Sequence, residues 1–272
     1  ASGHHGIYDS IRGVQKRVIA DENGAESDVP IGSFDHNGFS FASEMYYNAN
    51  SVNYVAWFWK AGGTAVSNSD GSITSQVSVN QDAGFSVVTY TGNGADATVG
   101  HGLGKVPAMV MIKNRSRSVE WNVKHHKMTS GKVMYLDLNS GEDAATGSNN
   151  GIIGDLDNAS TFSLSRTSNS GNYNNVNYSG ENFVAYCWAE IPGYSKFGLY
   201  KGNNNAHGSF VHTGFKVGWL MIKKSSGSGD WFVLDNKRSP SNEVLKSVKA
   251  STNAAETTDA NFVDFMTDGF KM

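Results

Sequence analysis

The chain has 272 residues, enough for two domains with their own cores, and its 39% hydrophobic and 11% aromatic content suits a globular protein. With 22 Lys and Arg against 25 Asp and Glu, the net charge of −3 gives no electrostatic reason to expect nucleic acid, whose phosphates call for clustered cations. The longest apolar run, 54–59, falls far short of the roughly 20 residues of a membrane helix, no signal-peptide core is visible, and the lone Cys187 has no partner for an intrachain disulfide.

Short β-prone runs separated by Gly, Asn, Asp and Ser clusters occupy most of the sequence. In chain order, residues 1–63 read as the back half of a first repeat unit, with a helix over 10–20 and strands over 39–41 and 53–60. Residues 64–83 read as a linker carrying an edge strand, 72–79. Residues 84–193 form a complete unit, with strands at 85–91, 108–113, 120–124, 132–138, 161–166 and 182–189. Residues 194–272 form another unit, with strands at 197–201, 217–223, 230–235 and 261–265 and a helix over 241–250. Asn37-Gly38, Asp70-Gly71, Asn93-Gly94 and Asp268-Gly269 are expected to supply positive φ for tight turns. Residues 55–59 and 109–112 are apolar without alternation, which predicts strands covered on both faces.

The division into units comes from internal repetition. Met111-Ile112-Lys113 and Trp121 recur 110 residues later as Met221-Ile222-Lys223 and Trp231, and Tyr90-Thr91-Gly92-Asn93 recurs as Tyr200-Lys201-Gly202-Asn203. Asn53-Tyr54-Val55-Ala56-Trp57-Phe58-Trp59 returns 129 residues later as Asn182-Phe183-Val184-Ala185-Tyr186-Cys187-Trp188. Gly38-Phe39-Ser40, Thr161-Phe162-Ser163 and Gly269-Phe270-Lys271 mark a third recurring strand. No Met-Ile-Lys strand precedes the first unit and no Val-Ala-aromatic strand follows the last, so both ends are expected to lie inside a unit of something longer. Cys187 stands where the first unit has Phe58, which predicts core packing for the thiol.

The sequence offers little for chemistry. Gly100-His101-Gly102-Leu103-Gly104-Lys105 imitates a phosphate loop, but Val occupies both positions 99 and 106, where the motif needs Gly and a hydroxyl, so it reads as a turn. His4-His5 and His125-His126 occupy related places without the further ligands a zinc site needs, and the third copy has Asp235-Asn236 there. Asp137, Asp143, Asp155 and Asp157 lack calcium-loop spacing and read as a solvated loop. No catalytic residues, metal or cofactor are therefore assigned. Two Tyr/Asn-rich loops lead into the Val-Ala-aromatic strands and have the chemistry of recognition surfaces, rigid amphipathic rings beside adaptable amides. Their candidate receptor- or glycan-contact residues are Tyr46, Tyr47, Asn48, Tyr173, Asn174, Asn175 and Tyr178.

The phrases GFSVVTYTGNG, VGHGLGKVPAMVMIKNRS and NFVAYCWAEIPGYSKFGLYKGN, with YDSIRGV and NYVAWFWKAGG, resemble the repeat of tail-fibre-like and other virion-associated structural proteins of marine tailed phages. The resemblance covers nearly the whole chain. It implies a virion surface or tail location and carries no catalytic residues to transfer. The expected fold class is all-β, tandem β-sandwich units of jelly-roll or lectin-like type, each with at most one short helix. The expected role is a phage structural or host-attachment component in which repeated sandwiches extend a fibre and weak contacts add by avidity. Its expected partners are other virion proteins, further copies of itself (a homotrimer if it forms a fibre) and a host surface glycan, with neither nucleic acid nor membrane insertion. A carbohydrate-active enzyme on a lectin-like sandwich, with two convergent carboxylates in one unit, and a capsid decoration protein are the alternatives.

Overall fold

The computed structural model describes residues 3–41, 46–144, 151–166, 175–205 and 208–272, and every regular element among them is a strand. The first unit carries β1 (Gly6–Ile7), β2 (Lys16–Ile19), β3 (Ser27–Asp28), β4 (Ser33–Asp35) and β5 (Gly38–Ser40), followed by β6 (Val66–Asn68) and β7 (Ser75–Asn80). The second unit carries β8 (Phe85–Thr91), β9 (Ala97–Gly100), β10 (Met109–Asn114), β11 (Asn122–His125), β12 (Lys132–Tyr135), β13 (Asp143–Ala144), β14 (Gly151–Ile153), β15 (Thr161–Arg166) and β16 (Asn182–Trp188). The third unit carries β17 (Phe210–His212), β18 (Trp219–Lys223), β19 (Trp231–Asp235), β20 (Glu243–Lys249), β21 (Thr257–Phe265) and β22 (Gly269–Lys271).

The same antiparallel meander appears three times. Gly6 faces Ile19, Asn122 faces Tyr135 and Phe232 faces Lys249; one strand further on, Lys16 faces Asp28, Lys132 faces Ala144 and Lys246 faces Thr258. Sequence repetition thus becomes repetition of register. The fold is all-β, and the second unit shows its sandwich in full. An eight-stranded sheet, ordered β13-β12-β11-β10-β16-β8-β7-β6, lies against a three-stranded sheet, β14-β15-β9. The expected linker is therefore part of this sheet, with β6 on its edge and β7 paired along its whole length with β8.

Both faces of the large sheet are buried, which explains the unbroken apolar run of β10. Val110 and Ile112 join Tyr90, Phe183, Ala185 and Cys187 against Val99, Phe162 and Leu164 of the small sheet, the interior of the sandwich. Met109 and Met111 point the other way, into a core shared by all three units, where Trp121, Tyr186 and Met134 meet Val18 and Ala20 of the first unit and Trp231 of the third. The third unit repeats the sandwich core with Leu220, Ile222, Tyr200, Val211 and Phe270.

Several expectations are corrected here. The segments 10–20 and 241–250 are not helices. Gly13 takes φ 89° and breaks the first, and β2 and β20 form inside these segments because β1 and β19 offer them ladders. Residues 53–60 and 197–201 are not strands, since neither pairs with a neighbour among the described residues, and the former lies exposed rather than covered on both faces. Of the four turn glycines, only Gly94 has positive φ (73°). At Gly71 and Gly269 the requirement is close approach: a Cβ would run into the carbonyl oxygens of Thr98 and Val211 respectively.

Candidate functional site

The three units meet at seams built from one set of contacts. His5, Trp121 and Trp231 are equivalent positions, and each has its backbone N–H held by a side chain of its own unit: Asp21 at 2.8 Å, Asp137 at 3.0 Å and Ser251 at 3.3 Å. Each then reaches into the unit before it. The Trp121 indole donates to Ile19 O at 2.7 Å and the Trp231 indole to Tyr135 O at 2.8 Å, while the His5 ring lies 2.9 Å from Thr252 O. The second unit grips the first, the third grips the second and the first grips the third, so the contacts close a ring of three. Further backbone links follow the same rule, including Gly3 N to Asn253 O and Gly229 N to Asn139 O. The units close on one another around the shared core.

An Asp–Arg pair locks two of the three seams. The Asp9 carboxylate accepts the N–H groups of Ile11 and Arg12 and pairs with Arg12 Nε at 2.5 Å. The remaining Arg12 donors reach Lys16 O, Glu26, Ile7 O and the hydroxyl of Tyr186 from β16. Burial opposes the charge on Arg12, but Tyr186, Asp9 and Glu26 outweigh it and hold the guanidinium above the ordinary arginine range. The third unit repeats the arrangement. Asp235 accepts the N–H groups of Lys237 and Arg238, and Arg238 reaches Asp235, Glu256 and Val233 O. Trp57, equivalent to Tyr186, donates its indole N–H to Asp235 at 3.1 Å, with the Arg238 guanidinium 5.4 Å from its ring centre.

In the second unit this pair becomes His125 and Met128. Burial, with a contribution from His126, pushes His125 down to about 4, and its Nδ1 lies 3.1 Å from Lys127 N. A neutral imidazole thus occupies the position of Asp9 and Asp235. The His125 and His126 rings sit 4.9 Å apart, and no metal-ligating cluster occurs among the described residues.

The second seam also differs from the first around its carboxylate. At the first seam Glu26 binds Arg12 and Arg115 at 3.0 and 2.9 Å, and these guanidinium groups hold its carboxyl below the usual range against the opposing effect of burial. At the second seam Met128 and Ser225 replace the two arginines around Glu142. A cleft of about 670 Å³ opens there, lined by Lys127, Lys132, Glu142, Asp143, Leu199 and Ser225 among others. A smaller hollow of about 430 Å³ lies beside Tyr200, Asn204 and Met272. Of the acidic residues read from sequence as a solvated loop, Asp137 is instead buried and accepts Trp121 N–H, whereas Asp155 lies in an exposed loop and pairs with buried Lys124 at 2.8 Å.

The candidate contact loops do not share a surface site. Tyr46 is exposed beneath Arg17, 5.0 Å from its ring centre, and Asn48 is exposed beside it. Tyr47 is half-buried, edge-on to Tyr8, and burial pushes its phenol up. Tyr173 and Asn174 lie outside the described residues. Asn175 is fully buried and presents nothing to a receptor, because the chain turns inward there to place Val176 in the sandwich core. Tyr178 packs on that core with Arg117 4.2 Å above its ring centre. Sequence reading missed the Asp9/Arg12 and Asp235/Arg238 staples, although Asp-x-x-Arg at equivalent places in two units was a visible signal.

Comparison with known proteins gives one match. No curated protein and no solved structure matches the chain. A family model described as a domain of unknown function, DUF7483, matches residues 1–272. The chain belongs to the DUF7483 family.

Proposed function

We propose that this protein is a structural component of a tailed-phage virion, in a tail-fibre-like or other surface-exposed assembly, and that its exposed loops contact a host receptor or glycan. The observation that carries this reading is the closed ring of three β units, whose seams end on backbone carbonyls and buried ion pairs. Such a ring is a rigid platform whose many loops face outward, and rigid display of weakly binding loops suits attachment by avidity. Tyr46 and Asn48 are the two candidate contacts that stand exposed on it. Other virion proteins, further copies of the chain and a host glycan are the proposed partners.

Locating the chain on the particle tests this. Gold-labelled antibodies against the folded protein should decorate the tail or surface of virions of the encoding phage, and excess purified protein should compete for adsorption to the host. Intact particles that carry none of the protein would remove the reading.

A further inference from the structure

Three glutamates stand at equivalent places in the three units. Lys16 faces Asp28, Lys132 faces Ala144 and Lys246 faces Thr258, and the residues two places before those partners are Glu26, Glu142 and Glu256. Glu26 is bound by Arg12 Nη1 at 3.0 Å and by the fork of Arg115, whose Nε and Nη2 each lie 2.9 Å from one carboxylate oxygen. Glu256 is bound by Arg238 at 3.1 Å and by Lys246 at 3.3 Å. Glu142 makes no ion pair among the described residues, and its carboxylate accepts the backbone N–H of Thr129 at 3.1 Å.

The place for a cation is nevertheless built. Glu26 donates its backbone N–H across the first seam to Arg115 O at 3.0 Å, and Glu142 makes the same bond across the second to Ser225 O at 2.7 Å. Ser225 therefore stands where Arg115 does and lacks only the long side chain. Met128, at the position of Arg12, turns into the shared core and accepts the His125 N–H on its sulfur. Where two guanidinium groups stand at the first seam, the second has the open cleft of about 670 Å³, and Ser140 Oγ on its wall is buried without a hydrogen-bond partner. Residues 145–150, which follow β13, contain no Lys or Arg. Lys127 and Lys132 line the cleft without pairing with Glu142, and lysine at the place of Lys132 accompanies arginine in both other units.

We infer that the cleft at the second seam receives an arginine side chain from a partner polypeptide, with Glu142 as its carboxylate acceptor. Arginine is selected over lysine because its planar fork meets both carboxylate oxygens at once, as Arg115 does on Glu26. The bond from Thr129 leaves room for it, since one oxygen of Glu26 accepts from Arg12 and Arg115 together. At the first seam the arginine already crosses from a neighbouring unit; at the second that neighbour supplies a serine, so the guanidinium comes from a separate chain. The cleft lies in the range of about 300–1,000 Å³ usual for ligand sites, room enough for the backbone that carries the side chain. This pairing is independent of where the protein resides.

The test titrates the peptide acetyl-Gly-Arg-Gly-amide into the isotope-labelled full chain and follows its backbone amide signals by NMR. Those of Glu142, Ser225 and Gly227 should shift saturably, whereas a citrulline peptide, which keeps the shape and loses the charge, should leave them in place. Glu142→Gln should weaken binding by about tenfold or more, the scale of a lost charge-assisted hydrogen bond. Ser225→Arg, which supplies the guanidinium from the chain itself, should abolish it. Signals of Val110 and Phe162 in the sandwich core report whether each variant is folded. Equal responses to the arginine and citrulline peptides, undiminished binding by folded Glu142→Gln, or no saturation at the highest soluble peptide concentration overturns the inference. So does tighter binding of acetyl-Gly-Asp-Gly-amide, which would assign the cleft to an anion held by Lys127 and Lys132.

Discussion

Trp121 and Trp231, 110 residues apart in sequence, donate their indole N–H groups to the carbonyls of Ile19 and Tyr135, which are themselves equivalent residues of successive units. The repeat therefore extends from the units to the way they are joined. Each indole also fills the shared core, so it combines burial with a directional contact across a seam.

Replacing either tryptophan with phenylalanine keeps most of the apolar surface and leaves a carbonyl without its donor, which should lower unfolding stability by about 1–3 kcal/mol. Alanine at either site should cost about 3–5 kcal/mol, through the cavity it leaves. Because both side chains enter one core, urea denaturation followed by tryptophan fluorescence and by circular dichroism should give a single coincident transition. Transitions that separate in the Trp231→Phe variant would show that the third unit folds independently of the ring.

Arg12 is buried with every donor committed, and its removal leaves Asp9 and Glu26 facing each other without their shared cation. Arg12→Ala should therefore destabilise by about 3–5 kcal/mol, the range for breaking a buried pair. At the second seam the opposite change is informative. Ser225→Arg places a guanidinium beside Glu142, as Arg115 stands beside Glu26, and should stabilise by up to about 1 kcal/mol. Thermal unfolding of the two variants checks both signs, and a Ser225→Arg protein less stable than the parent would break the equivalence of the two seams.

Much of this architecture was legible in the sequence. The unalternating run at Met109–Ile112 marked a strand buried on both faces, and the offset of Trp121 to Trp231 marked equivalent positions. The errors arose where structure depends on a distant neighbour. Residues 53–60 and 197–201 have strand composition, but a strand needs a partner for its backbone, and local sequence does not say whether one is there. Segments 10–20 and 241–250 have enough apolar spacing for two helical turns, yet β1 and β19 capture them in ladders. Ring closure was hidden for a further reason: the seam acceptors are main-chain carbonyls of Ile19, Tyr135 and Thr252, which leave no side-chain signature. Asn175 had the composition of a contact loop, and only the fold shows that it points inward.

Between about pH 4 and 6 two buried groups of the second unit act in opposite directions. Burial raises Asp137 to about 6, so the folded chain binds more protons there than the unfolded one and this contribution to stability is lost as pH rises from about 4 to 6. Burial, aided by His126, lowers His125 to about 4, so the unfolded chain binds the extra proton and stability grows as pH rises from about 4 to 6.5. Urea denaturation at intervals across this range should show Asp137→Asn gaining stability relative to the parent as pH rises. His125→Gln should lose it over the same interval. Parallel curves for parent and variants would show that neither group changes its protonation on folding in that window.

Tyr46 and Tyr178 both sit beneath an arginine, Arg17 and Arg117 respectively, but only Tyr46 is largely exposed, at 62%. That difference separates a contact role from a packing role. Tyr46→Ala touches no core and should change stability by no more than about 0.5 kcal/mol. If Tyr46 anchors host contact, the same change should weaken binding of the purified protein to host cells by about tenfold, the scale of a hot-spot residue. Tyr178→Ala should instead lower unfolding stability by about 1–3 kcal/mol, because its side chain packs on the sandwich core. Cell-binding isotherms and denaturation curves on both variants distinguish the two roles. Unchanged binding by Tyr46→Ala would move the search for a contact surface to the cleft at the second seam, where Lys127, Lys132 and Glu142 line an opening that arginines fill at the first.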